Sequence, residues 1–329
     1  MDEPPRGASA AEEGGCRVVF SPRYDFGSLE LEELHPFDGR KYGKAWALLR
    51  RRFGDALGPR HIEVDRPIRR DELLRVHGAD YLDSLGDPAV LAEALEIPPL
   101  ATLPAARLDR EVLGPMRWAT RGTVLAAEAA LEHGAAVNLG GGFHHAKRHR
   151  GEGFTLYSDL AVAVELLDAA GRLGRRRETR VGFIDLDAHQ GNGPKSIFAG
   201  DERALFLDVF NGQIYPGERY RLAPPSLDVE LPTGTGTAAY LDAVKTAVRA
   251  FLDAAGELDL VFYVAGTDIY EHDPLGLLGV SAAGVVERDL FVTRALAAAG
   301  IPWVMVTAGG YTEESHRTIA AAVGEMLDL

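Results

Sequence analysis

The chain has 329 residues, 46% apolar and 26% charged, a balance that suits a globular protein with a sizeable core. Its formal charge of −14 argues against general nucleic-acid affinity and suits cationic partners such as lysine-bearing proteins or polyamines. No run of about 18 uninterrupted apolar residues occurs, which excludes a membrane-spanning helix, and a single cysteine, Cys16, excludes an intrachain disulfide and fits a reducing cytoplasm.

Residues 1–15 are acidic and rich in Pro, Ala, Glu and Gly, and they read as a disordered tail. They lack the basic end and apolar centre of a signal peptide. Apolar β-type runs then recur at 16–20, 60–64, 135–139, 180–184, 204–209, 260–265 and 301–307. Amphipathic helical stretches lie between most of them, at 41–53, 109–133, 157–171, 237–254 and 285–299. Strands apolar on both faces that alternate with helices predict an α/β fold, a central parallel sheet flanked by helices on both faces. Segments 97–107 and 211–236 read as long loops, and neither divides the pattern, so residues 16–329 are expected to form one domain. Cys16 opens the first run and reads as a packed strand residue. The basic run Arg172 to Arg177 reads as a solvated loop. Thr233 to Thr237 lacks the lysine and strand context of a P-loop and reads as a loop, with Thr237 capping the next helix.

The chemistry concentrates at strand ends. After Val181 to Ile184 come Asp185, Asp187 and His189, which share one face of an extended segment. Two carboxylates and an imidazole at one point call for a cation, and this donor set suits zinc or iron better than magnesium. His144 and His145 follow the run at 135–139, Asp268 follows Val261 to Ala265, and Gly309-Gly310-Tyr311 follows Val304 to Thr307. In open parallel sheets the ligand crevice lies outside these carboxyl ends. Asp187, His189 and Asp268 are the three expected metal ligands, leaving positions for water and substrate. His144 and His145 suit general base and acid work, with metal ligation as the alternative. Asp185 and Asn192 would orient the two histidines. Tyr311 would donate to a developing oxyanion, with a merely packed tyrosine as the bland alternative.

These residues sit in longer motifs: Ser21-Pro22-Arg23-Tyr24, Leu34-His35-Pro36-Phe37-Asp38, Gly141 to Ala146, Gly153-Phe154, Asp185 to Gly193, Ile214-Tyr215-Pro216-Gly217, Ala265 to Asp268, Asp273-Pro274-Leu275-Gly276 and Gly309-Gly310-Tyr311. Together they resemble the histone deacetylase family of the arginase/deacetylase fold, specifically its class IV branch, nearly end to end. The Ala and Arg content points to a GC-rich bacterial source. The resemblance implies a zinc-dependent amidohydrolase that removes acyl groups from lysine-like amines, and the donor set leaves ferrous iron as the alternative metal. It gives the metal to Asp187, His189 and Asp268 and pairs His144 with Asp185. It makes His145 the group that takes a proton from water and returns one to the leaving amine, with Tyr311 holding the oxyanion. Gly153, Phe154 and Leu275 match the channel wall. It also implies potassium, held by oxygens of Asp185, Asp187 and His189, and a preference for long fatty acyl groups.

Some positions depart from the wider family: Phe143 for tryptophan, Thr155 for cysteine, Asn192 for a second aspartate, and His272 for glycine. The other histidines carry blander expectations. His77 reads as structural, His35 as a rim residue of the loop before the helix at 41–53, and His61, His133, His149 and His316 as surface or packing residues. The leading substrate is an acyl-lysine protein or peptide. Small acylated amines such as acetylpolyamines are the alternative, with Asp25, Glu30, Glu32 and Glu33 as acids for a polyamine-binding rim. A silent binding module that reads acyl-lysine is a third reading, set against the presence of every expected catalytic residue.

Overall fold

The computed structural model describes residues 15–26, 38–174 and 179–328. Most of the expected tail, His35 and Glu30, Glu32 and Glu33 lie outside the described residues. One eight-stranded sheet organises the chain: β1 (Arg17–Phe20), β2 (His61–Glu63), β3 (Ala135–Asn138), β4 (Val181–Asp185), β5 (Ala204–Asn211), β6 (Leu227–Leu231), β7 (Leu260–Val264) and β8 (Trp303–Val306). All neighbouring pairs are parallel, in the order β2-β1-β3-β8-β7-β4-β5-β6. Every residue of β4, β5, β7 and β8 is buried, which requires cover on both faces of the sheet. That cover includes helices Gly114–His133, Asp159–Ala169, Thr237–Ala255, Ala282–Ala298 and Ser315–Leu327.

All seven expected strands form. The eighth, β6, lies inside the stretch read as a loop, and the reason is its pattern. Leu227-Asp228-Val229-Glu230-Leu231 alternates apolar and polar, as an exposed edge strand does, and has no continuous apolar run. The Pro-rich stretch 97–107 also differs from the expected loop. Its prolines start a 3-10 turn at Pro98–Thr102, and a short helix follows at Ala105–Leu108. Thr237 does not cap its helix, because Gly236 is the cap residue. The Thr237 hydroxyl instead accepts from the Ser281 backbone at 2.9 Å, tying this helix start to the next.

Smaller expectations resolve simply. Cys16 is buried just before β1, and burial pushes its thiol up to about 12. His77 is buried, accepts from the Ser158 backbone at 3.0 Å, and is held down to about 4 by burial. Asp25 accepts from the Gly43 backbone at 3.0 Å, so its carboxylate is spent on the helix Lys41–Phe53.

The strand order has a consequence for function. β3, β8, β7 and β4 are consecutive neighbours, so the four segments singled out in the sequence leave the sheet side by side. A fully buried arginine braces two of them. Arg288 Nη1 donates to the Leu186 carbonyl at 2.9 Å and to the Gly266 carbonyl at 2.7 Å, while its Nε meets Asp289 Oδ1 at 2.8 Å. Removing one partner of a buried pair strands the other charge. Arg288→Met is therefore expected to lower stability by about 3–5 kcal/mol in urea unfolding, and a wild-type midpoint would contradict the bracing role.

Candidate active site

Asp187 and Asp268 are fully inaccessible to solvent, and both meet the same nitrogen of His189. His189 Nδ1 lies 3.1 Å from Asp187 Oδ1 and 2.9 Å from Asp268 Oδ2. One donor atom from each of the three falls within 4.8 Å of the others. The remaining carboxylate oxygens are held by backbone amides: Gly309 N donates to Asp187 Oδ2 and Ala188 N to Asp268 Oδ1, both at 2.9 Å. A Cβ on Gly309 would stand 2.5 Å from Asp187 Oδ2, so this close approach needs glycine. The electrostatics are those of a site short of positive charge. Burial and the neighbouring Asp187 push Asp268 up to about 7. Burial works against a charged His189, yet its two carboxylate partners lift it to about 10.

The adjacent histidines stand beside this cluster. His144 Nδ1 meets Asp185 Oδ2 at 2.8 Å, and its Nε2 is 3.8 Å from Asp187 Oδ1. Burial opposes protonation of His144, but Asp185 and Asp187 raise it to about 9. His145 Nδ1 meets Asn192 Oδ1 at 2.9 Å. Burial, with His144 and His189 close by, holds His145 well below the usual imidazole value. Both histidines are placed by the turn after β3. Asp159, at the start of its helix, accepts from Gly142 N at 2.9 Å and Phe143 N at 2.8 Å, and pins that turn.

Tyr311 reaches the cluster from β8, its ring centroid 6.3 Å from that of His189. Burial and the carboxylates of Asp187, Asp268 and Asp273 hold its phenol well above the ordinary value, so it stays a donor. Asp273 accepts from Tyr311 N at 2.8 Å and from Leu275 N at 3.0 Å, joining the tyrosine to the channel wall. Buried Lys41 donates to the Ala308 carbonyl at 2.6 Å behind the same turn. His272 is exposed while Asp273 stays buried, so the departure at 272 leaves this tie intact.

A cavity of about 140 Å³ opens onto the cluster between Gly153, Phe154, Leu275 and Tyr311, with His145 and His189 at its floor. A Cβ on Gly153 would meet His145 Cδ2 at 2.5 Å, which explains glycine at φ +53°. A second, apolar cavity of about 50 Å³ lies deeper, among Leu95, Ile97, Val112, Met116 and Phe143, and shares Tyr311 with the first. All eleven residues singled out from the sequence are therefore brought to one place. Two more belong there that sequence reasoning did not assign. Tyr215, inside a quoted motif, packs edge-on to His145 with centroids 5.0 Å apart. Glu96 lines the cavity mouth at φ 56°, and burial raises its carboxyl. No sequence signal marks Glu96, because its left-handed backbone shows only in the fold.

Comparison with known proteins decides the family. The model of the histone deacetylase domain matches residues 35–327. The chain belongs to the histone deacetylase family. It is 38% identical to Histone deacetylase 2 of Arabidopsis thaliana over 93% of this chain and 77% of that protein. It is 29% identical to the acetoin utilization protein AcuC of Bacillus subtilis over 89% of this chain and 76% of the relative. Among solved structures, the HDA15 HD domain superposes with a TM-score of 0.73 at 22% identity, covering 96% of this chain and 90% of that one. An acetylpolyamine aminohydrolase from Burkholderia pseudomallei gives 0.70 at 21% identity, covering 95% and 98%. At these identities the two structures support the fold, and the deacetylase family membership rests on the sequence matches.

Proposed function

We propose that this histone deacetylase family member is a class IV-type, metal-dependent amidohydrolase that removes acyl groups, from acetyl to long-chain fatty acyl, from lysine side chains. The observation that carries the reading is the buried Asp187, His189 and Asp268 cluster, whose His189 lines the cavity beside a neutral His145. Its donors fit zinc, with ferrous iron as the alternative, and two buried carboxylates without a cation would be costly. A divalent ion there supplies Lewis-acid polarisation of the acyl carbonyl and lowers the pKa of water.

The protein's own groups do the rest. His145, kept neutral at physiological pH, takes the proton of the attacking water and returns it to the leaving amine. His144, held cationic by Asp185, balances charge next to it. The Tyr311 hydroxyl donates to the oxyanion. Gly153, Phe154 and Leu275 admit a slender aliphatic stem, which is what lysine offers. The apolar inner cavity beside Tyr311 gives an acyl chain longer than acetyl somewhere to go. Potassium would sit near Asp185. On the neighbouring strand Asp208 pairs with Asp185 in register, and its Oδ1 is buried without a hydrogen-bond partner while Oδ2 is 2.9 Å from Lys195 Nζ.

Glu96 favours a second reading, a hydrolase of small N-acylated amines. Its carboxylate at the cavity mouth suits the distal ammonium of an acetylpolyamine. Turnover of acetyl-, octanoyl- and myristoyl-lysine peptides beside acetylspermidine and acetylputrescine separates the two. The leading reading predicts metal-dependent hydrolysis of all three peptides. Hydrolysis confined to the small amines would replace it with the second.

A further inference from the structure

Asn192 is a neutral residue where a carboxylate would fix the histidine by charge, and an amide has two faces. Its Oδ1 lies 2.9 Å from His145 Nδ1, and its Nδ2 lies 2.7 Å from Glu152 Oε1. An ionised carboxylate only accepts hydrogen bonds, so the face toward Glu152 must be the NH₂. The carbonyl then faces His145, which must carry its proton on Nδ1 and leave Nε2 as the free base. Turned over, the same amide would donate to Nδ1 and leave the proton on Nε2, where no base remains.

We propose that Glu152 is a positioning residue for His145, setting the orientation of the Asn192 amide and through it the ring tautomer. The proposal rests on the proposed role of His145 as base. Glu152 is itself well held. Its Oε1 is 3.0 Å from Lys147 Nζ, its Oε2 pairs with Arg150, and the Tyr215 hydroxyl also bonds to it. Its backbone closes a tight turn, with Glu152 N to Thr155 O at 3.1 Å and Thr155 N to Glu152 O at 3.0 Å. The central residues Gly153 and Phe154 have φ of 53° and 63°, the pattern of a type I′ turn. The Thr155 hydroxyl adds a bond to the Glu152 carbonyl at 2.8 Å. One turn therefore presents Gly153 and Phe154 to the channel and Glu152 to the outer side of Asn192.

Without Glu152, Asn192 Nδ2 keeps only the longer bond to the Glu218 carbonyl at 3.4 Å, so the amide face toward His145 is held more weakly. Glu152→Ala is expected to lower kcat on an acyl-lysine peptide about 10- to 100-fold with little change in KM. The diagnostic variant is Asn192→Asp, which presents an acceptor to His145 in either orientation and has no face to lose. In that background Glu152→Ala should leave kcat unchanged or raise it, because two facing carboxylates are separated. A merely structural role would lower kcat in both backgrounds, and that result would overturn the proposal. Nitrogen-15 spectra of the histidine rings report the tautomer without any turnover. They should show His145 protonated on Nδ1 in the zinc-loaded parent and redistributed in Glu152→Ala. An unmoved tautomer with unmoved kcat overturns the positioning role while leaving the deacylase reading standing. A moved tautomer in a protein that hydrolyses none of the substrates supports the positioning and removes the deacylase reading instead.

Discussion

His145→Ala is expected to lower kcat on an acyl-lysine peptide by about 10²–10⁴-fold and to leave the metal bound. The expectation follows from position. His145 lines the cavity, but its own Nδ1 is engaged by Asn192, and the proposed ligand cluster is Asp187, His189 and Asp268. Loss of the imidazole removes the proton acceptor without removing a metal donor. Tyr311→Phe should behave in the same way through the oxyanion, by about 10²–10³-fold. Elemental analysis beside steady-state kinetics checks both. Full activity in His145→Ala would remove the proposed proton path.

Asp268→Ala is expected to lose the metal and all activity. Three protein donors are the minimum that a catalytic site of this type uses, and Asp268 is the one contributed from a separate strand. The proton balance gives a second readout. In the metal-free chain burial and Asp187 push Asp268 from near 3.8 up to about 7, and the two carboxylates lift His189, against burial, from near 6.5 to about 10. Both pKa values are raised on folding, so each group's contribution to stability is complete below its unfolded value and is lost as pH rises through the folded one. The metal-free protein should therefore weaken from about pH 4 to 7 through Asp268 and from about 6.5 to 10 through His189. A bound cation must displace those protons, so zinc affinity should climb over the same range. Calorimetric titration at pH 6 and pH 8 measures it. Affinity independent of pH, or stoichiometric metal in Asp268→Ala, would contradict the ligand assignment.

Much of this was legible in the chain because its chemistry comes in short-range patterns. Asp185, Asp187 and His189 alternate directly after a strand, and two adjacent histidines follow a glycine turn. The parallel sheet was readable because β7 and β8, and β4 up to Ile184, are apolar runs, and that architecture predicts convergence at the strand ends. What escaped notice has equally physical reasons. Strand β6 alternates like the edge strand it is. Glu152 follows Lys147, Arg148 and Arg150, and in sequence that cluster is indistinguishable from a solvated charged face. Only the fold shows that Glu152 reaches back to a buried asparagine. Arg288 lies 102 residues from Leu186, one of the two carbonyls it braces, inside a helix whose pattern gives no hint of a buried charge.

The proposed chemistry depends on the metal. The most direct test is release of free carboxylic acid from an acetyl-lysine peptide by the purified protein, before and after chelation, and then with zinc restored in equal amount. We expect activity to vanish on stripping and to return with zinc. Undiminished turnover by protein shown to be metal-free would contradict the account.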